Sequence, residues 1–197
     1  REMIQKRELF PCFFGSALKM EGIEELLFAL SEYTKMPEYQ EKFGATVFKI
    51  TRDAQGSRLT HLKVTGGVLK ARNLLTGHKQ NKPEDIWEEQ VNQIRIYSGE
   101  KYETKDEVEA GTICAVTGLS YTYPGEGLGS QEESELPILE PVLTYELILP
   151  DGVQPQAMMP KLAMLEEEEP ELHIVWNEEL QEIKIQIMGE VQIEILK

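Results

Sequence analysis

The sequence predicts a mainly β chain that passes into an α+β segment. It reads as an antiparallel barrel or sandwich of short strands, followed by a β-α-β-β-α unit one strand short of a ferredoxin-like split βαβ. Three observations carry this. Residues 44–129 hold short, mostly alternating apolar runs separated by polar or glycine turns. Residues 140–197 alternate between strand-like and helix-like periods. Ahead of both, Phe10-Pro-Cys-Phe-Phe-Gly-Ser-Ala-Leu18 reads as a short apolar strand, a Gly-Ser-Ala turn and the approach to a helix.

The elements follow in chain order. Residues 1–8 are polar with good helix formers and read as the end of a helix. From Gly22 a helix is expected, with Ile23, Leu26, Leu27 and Leu30 on one face and Glu24, Glu25 and Glu32 largely outside it; Met36-Pro37 ends it. Strands are expected at Thr46–Thr51 and Leu59–Val64 around a Gln55-Gly56 turn, then at Val68-Leu69 and Asn73–Leu75 after Gly66-Gly67. Val91–Tyr97 and Thr112–Val116 complete the series. Residues 120–139, with Pro124, three glycines and Glu132-Glu133-Ser134-Glu135, read as loop and linker. Pro141–Leu149 is a strand. A helix runs from about Pro155 to Glu169 with Met158, Leu162 and Leu165 as its stripe. Pro160 fits only a first turn, which argues for a late start near Met158 or Met159. Leu172–Trp176 and Ile183–Ile187 form a hairpin, and Gly189 opens a second helix.

At 197 residues and 41% apolar content, the chain holds one large or two small domains with packed cores. No apolar stretch approaches the roughly 18 residues of a membrane span, and no signal-peptide pattern opens the chain. Cys12 and Cys114 lie in apolar runs and are expected to be buried free thiols. Without a Cys-x-x-Cys or His/Cys cluster, neither disulfide, metal site nor catalytic thiol is expected, and the compartment reads as cytoplasmic.

The net charge of -15 conceals an asymmetry. Residues 130–197 carry three basic against sixteen acidic residues. Residues 44–82 carry eight (Lys49, Arg52, Arg58, Lys63, Lys70, Arg72, Lys79, Lys82) against Asp53 alone. Long cations on one sheet face suit phosphate contact, and equally suit the solvated outside of a barrel. Glu166–Glu169 reads as a solvated helix end before Pro170. His61, His78 and His173 are scattered, Trp87 and Trp176 read as packing residues, and no catalytic or metal-binding constellation is visible.

These motifs, in this order, resemble the translational GTPases of the elongation factor G type. Gly15-Ser16-Ala17 resembles the fifth guanine-nucleotide motif. Ala45–Ile50, Gly66–Leu69 and Glu109–Leu119 are similar to the second-domain β-barrel. Pro141–Leu143 and Ile187–Ile195 resemble the third, ferredoxin-like domain. The resemblance implies the end of a GTPase domain over 1–40, the barrel over 41–130, a linker over 131–139 and an incomplete ferredoxin-like domain over 140–197. Arg1 opens the chain and no Gly-x-x-x-x-Gly-Lys-Ser/Thr loop is present, so it reads as a piece of a larger protein. In that parent, Ser16 and Ala17 would contact guanine, with GTP and Mg as cofactors. The piece itself would hold no cofactor and catalyse nothing. The implied partners are the ribosome, its small-subunit rRNA and ribosomal proteins, with Lys49, Arg58, Lys63 and Arg72 as candidate RNA contacts and no membrane partner. RNA would be read by shape and backbone, since no aromatic-interleaved stacking platform is visible. Gly189-Glu-Val-Gln-Ile-Glu194 and Phe10–Ala17 lean toward the ribosomal protection proteins of tetracycline resistance. The alternatives are a translocation factor of elongation factor G type, or a non-ribosomal acidic protein-binding module. The missing strand predicts an open sheet edge and non-native self-association.

Overall fold

The computed structural model describes residues 1–35, 37–80, 82–134, 141–150 and 152–196. The chain divides into two compact units, Arg1–Glu38 and Tyr39–Lys197.

In the first unit a short helix, α1 (Glu2–Gln5), precedes α2 (Ile23–Tyr33). Gly22 starts α2 in the left-handed region at φ 76°, where a Cβ would stand 2.7 Å from the Phe14 carbonyl oxygen. The strand expected over Phe10–Phe14 does not form. Among the described residues this unit has no strand to pair with it, and an extended segment without a ladder leaves its backbone groups to water. A closed turn forms instead: Ser16 N–H donates to the Glu21 carbonyl at 2.9 Å and Glu21 N–H returns to the Ser16 carbonyl at 3.1 Å. The apolar face expected to be buried on α2 is not. Ala29 is buried and Ile23 half-buried, while Leu26, Leu27 and Leu30 are exposed. Cys12 is exposed too, contrary to expectation, whereas Cys114 is buried.

The second unit opens with ten strands: β1 (Gly44–Arg52), β2 (Arg58–Gly66), β3 (Val68–Lys70), β4 (Leu74–Lys79), β5 (Lys82–Gln90), β6 (Gln93–Ser98), β7 (Lys101–Lys105), β8 (Glu107–Glu109), β9 (Ile113–Thr117) and β10 (Gly127–Gly129). Six form an antiparallel sheet in the order β10-β1-β2-β9-β6-β7, and the ladders β3-β8 and β4-β5 close over its inner face. One core fills the barrel. Val47, Ile50, Leu62, Val64, Ile94, Val116 and Leu128 come from the large sheet, and Leu69, Leu75, Trp87 and Val108 from the two ladders. At roughly 1.5–3 kcal/mol per fully buried aliphatic or aromatic side chain, these residues are the main stabilising term of the unit.

A β-bulge between Val47 and Lys49 shifts the register of β1 against β2. Val47 and Ile50 stay inside while Phe48 and Lys49 both face outward, because the extra residue breaks the period of two. Four strands were not expected. β5 carries mostly charged residues and pairs with β4; β7 is exposed throughout; β8 and β10 have three residues each. β10 lies within the stretch read as loop.

The rest of the unit runs β11 (Leu143–Glu146), α3 (Pro155–Glu168), β12 (His173–Asn177), β13 (Glu182–Ile187) and α4 (Glu190–Leu196), with sheet order β11-β13-β12. Leu162, Leu172, Ile183 and Ile187 are buried there. The strand expected over 141–149 is shorter. α3 begins at Pro155 rather than late, and Pro160 lies inside it, the sixth residue of the helix. Buried Leu162 and the ion pairs of the last turn hold the helix despite the missing N–H. Met36 and residues 135–139 of the expected linker lie outside the described residues.

Candidate nucleic-acid interface

The outer face of the barrel sheet gathers aromatic and basic side chains. Phe48 of β1, His61 of β2, Tyr97 of β6 and Tyr102 of β7 form a continuous strip, with successive ring centroids 6.1, 6.2 and 5.3 Å apart. Between His61 and Tyr97 the intervening strand β9 presents Ala115, small enough for the two rings to meet across it. Phe48 and Tyr102 are each 47% exposed, so the strip is open to a ligand. An aromatic platform therefore exists where none was expected. Each ring lies on a different strand, and no local sequence pattern connects them.

Beneath the strip sits Arg95, with little solvent exposure. It donates to Asp53 at 3.0 Å and to Gln93 Oε1, and its guanidinium lies 4.5 Å from the centre of the Tyr102 ring. Asp53 also accepts the Gln55 and Ser57 N–H groups and so closes the β1–β2 turn. The Arg95 hydrogen bond, with those of the turn, holds its carboxyl below the usual range. His61 shares a hydrogen bond of 2.8 Å with the Thr51 hydroxyl. Burial, with Lys49 nearby, lowers its pKa and favours the neutral ring. A cavity of about 440 Å³ opens beside the strip, lined by Thr51, Asp53, Leu59, His61, Tyr97 and Tyr102 among others.

The four candidate RNA cations separate into two groups. Lys49 and Arg58 converge, together with Arg52, beneath the end of α3. Glu169 meets Lys49 at 3.3 Å, Glu168 meets Arg52 at 2.9 Å, and Glu167 meets Arg52 at 2.5 Å and Arg58 at 2.7 Å. Glu166 accepts the Ile174 N–H at 3.3 Å. The acidic run is therefore no free helix end; its carboxylates clamp α3 to the barrel. Burial pushes the Glu167 carboxyl up, but the guanidiniums of Arg58 and Arg52 outweigh it and leave the pKa lowered. Lys63 and Arg72 stand apart. Lys63 is exposed on β2, five residues and about 17 Å along the strand from Arg58. Arg72 lies in the β3–β4 turn with a left-handed φ of 68°. Neither side chain has an ion pair among the described residues.

Ser16 and Ala17 occupy the closed turn of the first unit. The Ser16 backbone is consumed by Glu21, while its hydroxyl and the Ala17 N–H make no hydrogen bond among the described residues. Among the described residues no group of three or more His, Cys, Asp or Glu side chains could hold a metal ion. No helix of the described chain is long and apolar enough to cross a membrane.

Residues 42–131 match the family model described as elongation factor G domain 2. Over its whole length the chain is 27% identical to elongation factor G of Amoebophilus asiaticus (strain 5a2) and 28% identical to elongation factor G of Ureaplasma parvum serovar 3 (strain ATCC 27815 / 27 / NCTC 11736). It spans only 30% and 31% of the lengths of these curated relatives. A crystal structure from Thermus thermophilus superposes with a TM-score of 0.68 at 22% identity, covering 89% of this chain and 27% of that one, which is a likeness of fold. Residues 42–131 are thus similar to domain 2 of elongation factor G, and the whole chain is similar to a stretch of that protein.

Proposed function

We infer that this chain is a ribosome-docking and signal-transmitting segment of a translational GTPase. Its barrel would rest on small-subunit rRNA, and the parent protein would supply GTP, Mg and hydrolysis in the cytoplasm. The observation that carries this reading is the outer barrel face, where exposed cations and an aromatic strip share one sheet within the segment similar to elongation factor G domain 2. Lys63 and Arg72 are the phosphate contacts accessible without rearrangement. Ser16 and Ala17 would read the guanine edge in the parent. Domain limits at 40, 130 and 139 are part of the same proposal.

Filter binding of 16S RNA or small subunits at rising salt tests it. Affinity should fall steeply with salt, and Lys63→Ala should weaken binding and reduce the slope by about one unit. Indifference of the protein to both ligands would sink the ribosomal reading and favour a protein-binding module. The relatives found are elongation factors G, which favours an elongation-type step for the parent. The Gly189–Glu194 motif supports the second reading, ribosomal protection against tetracycline. Release of ribosome-bound tetracycline by the full-length parent would decide for it.

A further inference from the structure

Lys49, Arg52 and Arg58 bring three permanent cations to one place on β1 and β2, and what they hold is a set of oxyanions. Arg58 is fixed from behind by barrel atoms alone. One of its terminal nitrogens donates to the Leu119 carbonyl at 2.8 Å, the Thr122 hydroxyl at 2.8 Å and the Thr60 hydroxyl at 3.0 Å; the other donates to the Thr122 carbonyl. Its Nε–H points outward and takes Glu167 at 2.8 Å. Arg52 differs: its side-chain partners, Glu167, Glu168 and the Met164 carbonyl, all belong to α3. One guanidinium is thus held rigidly by the barrel, and a second is held only by the helix above it. Planar guanidinium forks match phosphate oxygens as well as carboxylate oxygens.

We propose that Lys49, Arg52 and Arg58 form an oxyanion site whose resident ligand is the chain's own Glu167–Glu169 turn, and that an RNA phosphodiester backbone competes for it, so that RNA docking releases the end of α3. This rests on the RNA-docking reading above and adds a coupling to it. The same three cations cannot serve helix and phosphate at once, so RNA binding and α3 docking oppose each other by equal factors. The contact is electrostatic and only partly buried; Arg52 and Arg58 side chains are 19% and 14% exposed and Glu167 is 30% exposed. It can therefore open without unfolding the barrel, whose core lies on the opposite face of the sheet.

The test uses the full chain and a short duplex RNA as probe. Glu167→Gln/Glu168→Gln/Glu169→Gln removes the resident anions. A control removes equal charge at the exposed Glu178, Glu179 and Glu194. The first variant should bind RNA about tenfold more tightly than the control, because four partly exposed ion pairs no longer compete. Saturating RNA should speed amide hydrogen exchange over Met164–Glu169 in the unaltered protein toward the rate seen in that variant. Arg52→Ala also frees α3 but removes a phosphate donor, and should bind less tightly than the triple variant. Equal affinity of the triple variant and its charge control would overturn the proposal, as would RNA binding that leaves exchange over α3 unchanged; in both cases RNA docking itself would stand. Failure of every protein to bind RNA would overturn both.

Discussion

Glu126 is the buried carboxylate of the barrel. It lies in the loop before β10, 3% exposed, and accepts hydrogen bonds from Trp87 Nε1–H at 3.2 Å and the Tyr123 N–H at 3.3 Å. Burial pushes its pKa up from 4.5 to about 7, against the hydrogen bonds from Tyr123, Trp87 and His78. The folded protein therefore binds this proton more readily than the unfolded chain does. The stabilisation is complete below pH 4.5 and is lost as pH rises through about 7. Glu126→Gln keeps an acceptor for Trp87 and cannot ionise. Urea unfolding at several pH values should show a slope in this window, on the order of 3 kcal/mol in total, that the variant flattens. Gly77 completes the environment: a Cβ there would stand 2.3 Å from Glu126 Oε1 and 2.4 Å from the Trp87 ring, so the indole and carboxylate can meet only over a glycine.

Among the elements, α3 combines a weak helical sequence with strong anchoring. Pro160 removes one backbone donor from the second turn, and no basic residue occupies the last turn to offset the acidic run. The anchoring comes from Leu162 on one side and Arg52 and Arg58 on the other. Pro160→Ala should restore the missing donor and stabilise this segment by about 1 kcal/mol, seen as slower hydrogen exchange in α3 with little change in the barrel strands. The strands that a period of two could reveal were those with inward Val, Ile or Leu, such as β2 and β9. β5 escaped because six of its nine positions are charged or amide side chains and its burial rests on Trp87. Likewise, composition pointed to the cations of β1 and β2 but not to their ligands. Arg58 and Glu167 are 109 positions apart, and no local pattern encodes that pairing.

At the scale of the molecule, the charge asymmetry of the sequence becomes an internal contact. The basic segment 44–82 and the acidic segment 130–197 meet through α3, so part of each charge is neutralised within the second unit. Raising ionic strength should loosen this contact while the barrel core persists. The first unit carries a different liability. Phe10, Phe14, Leu18, Leu27 and Phe28 are all at least 60% exposed, more apolar surface than a soluble monomer ordinarily displays in so few residues. Self-association of this unit is the expected outcome. Light scattering over a concentration series should show oligomers that Phe14→Ser and Leu27→Ser together reduce; an unaltered protein that stays monomeric at every concentration refutes this.

The bulge in β1 has a consequence for how this surface can change. Val47 and Ile50 face inward with two outward residues between them, so the strand carries one residue more than its alternation requires. Deleting Phe48 would leave Val47, Lys49 and Ile50 in simple alternation, with Ile50 still in the core and Lys49 still outside. Elsewhere in a strand, losing one residue turns the buried set outward and ends the fold. Here a single-codon deletion is expected to yield a folded barrel with a normal cooperative melt and an interrupted aromatic strip. The bulge thus makes the outer face evolvable by length as well as by substitution.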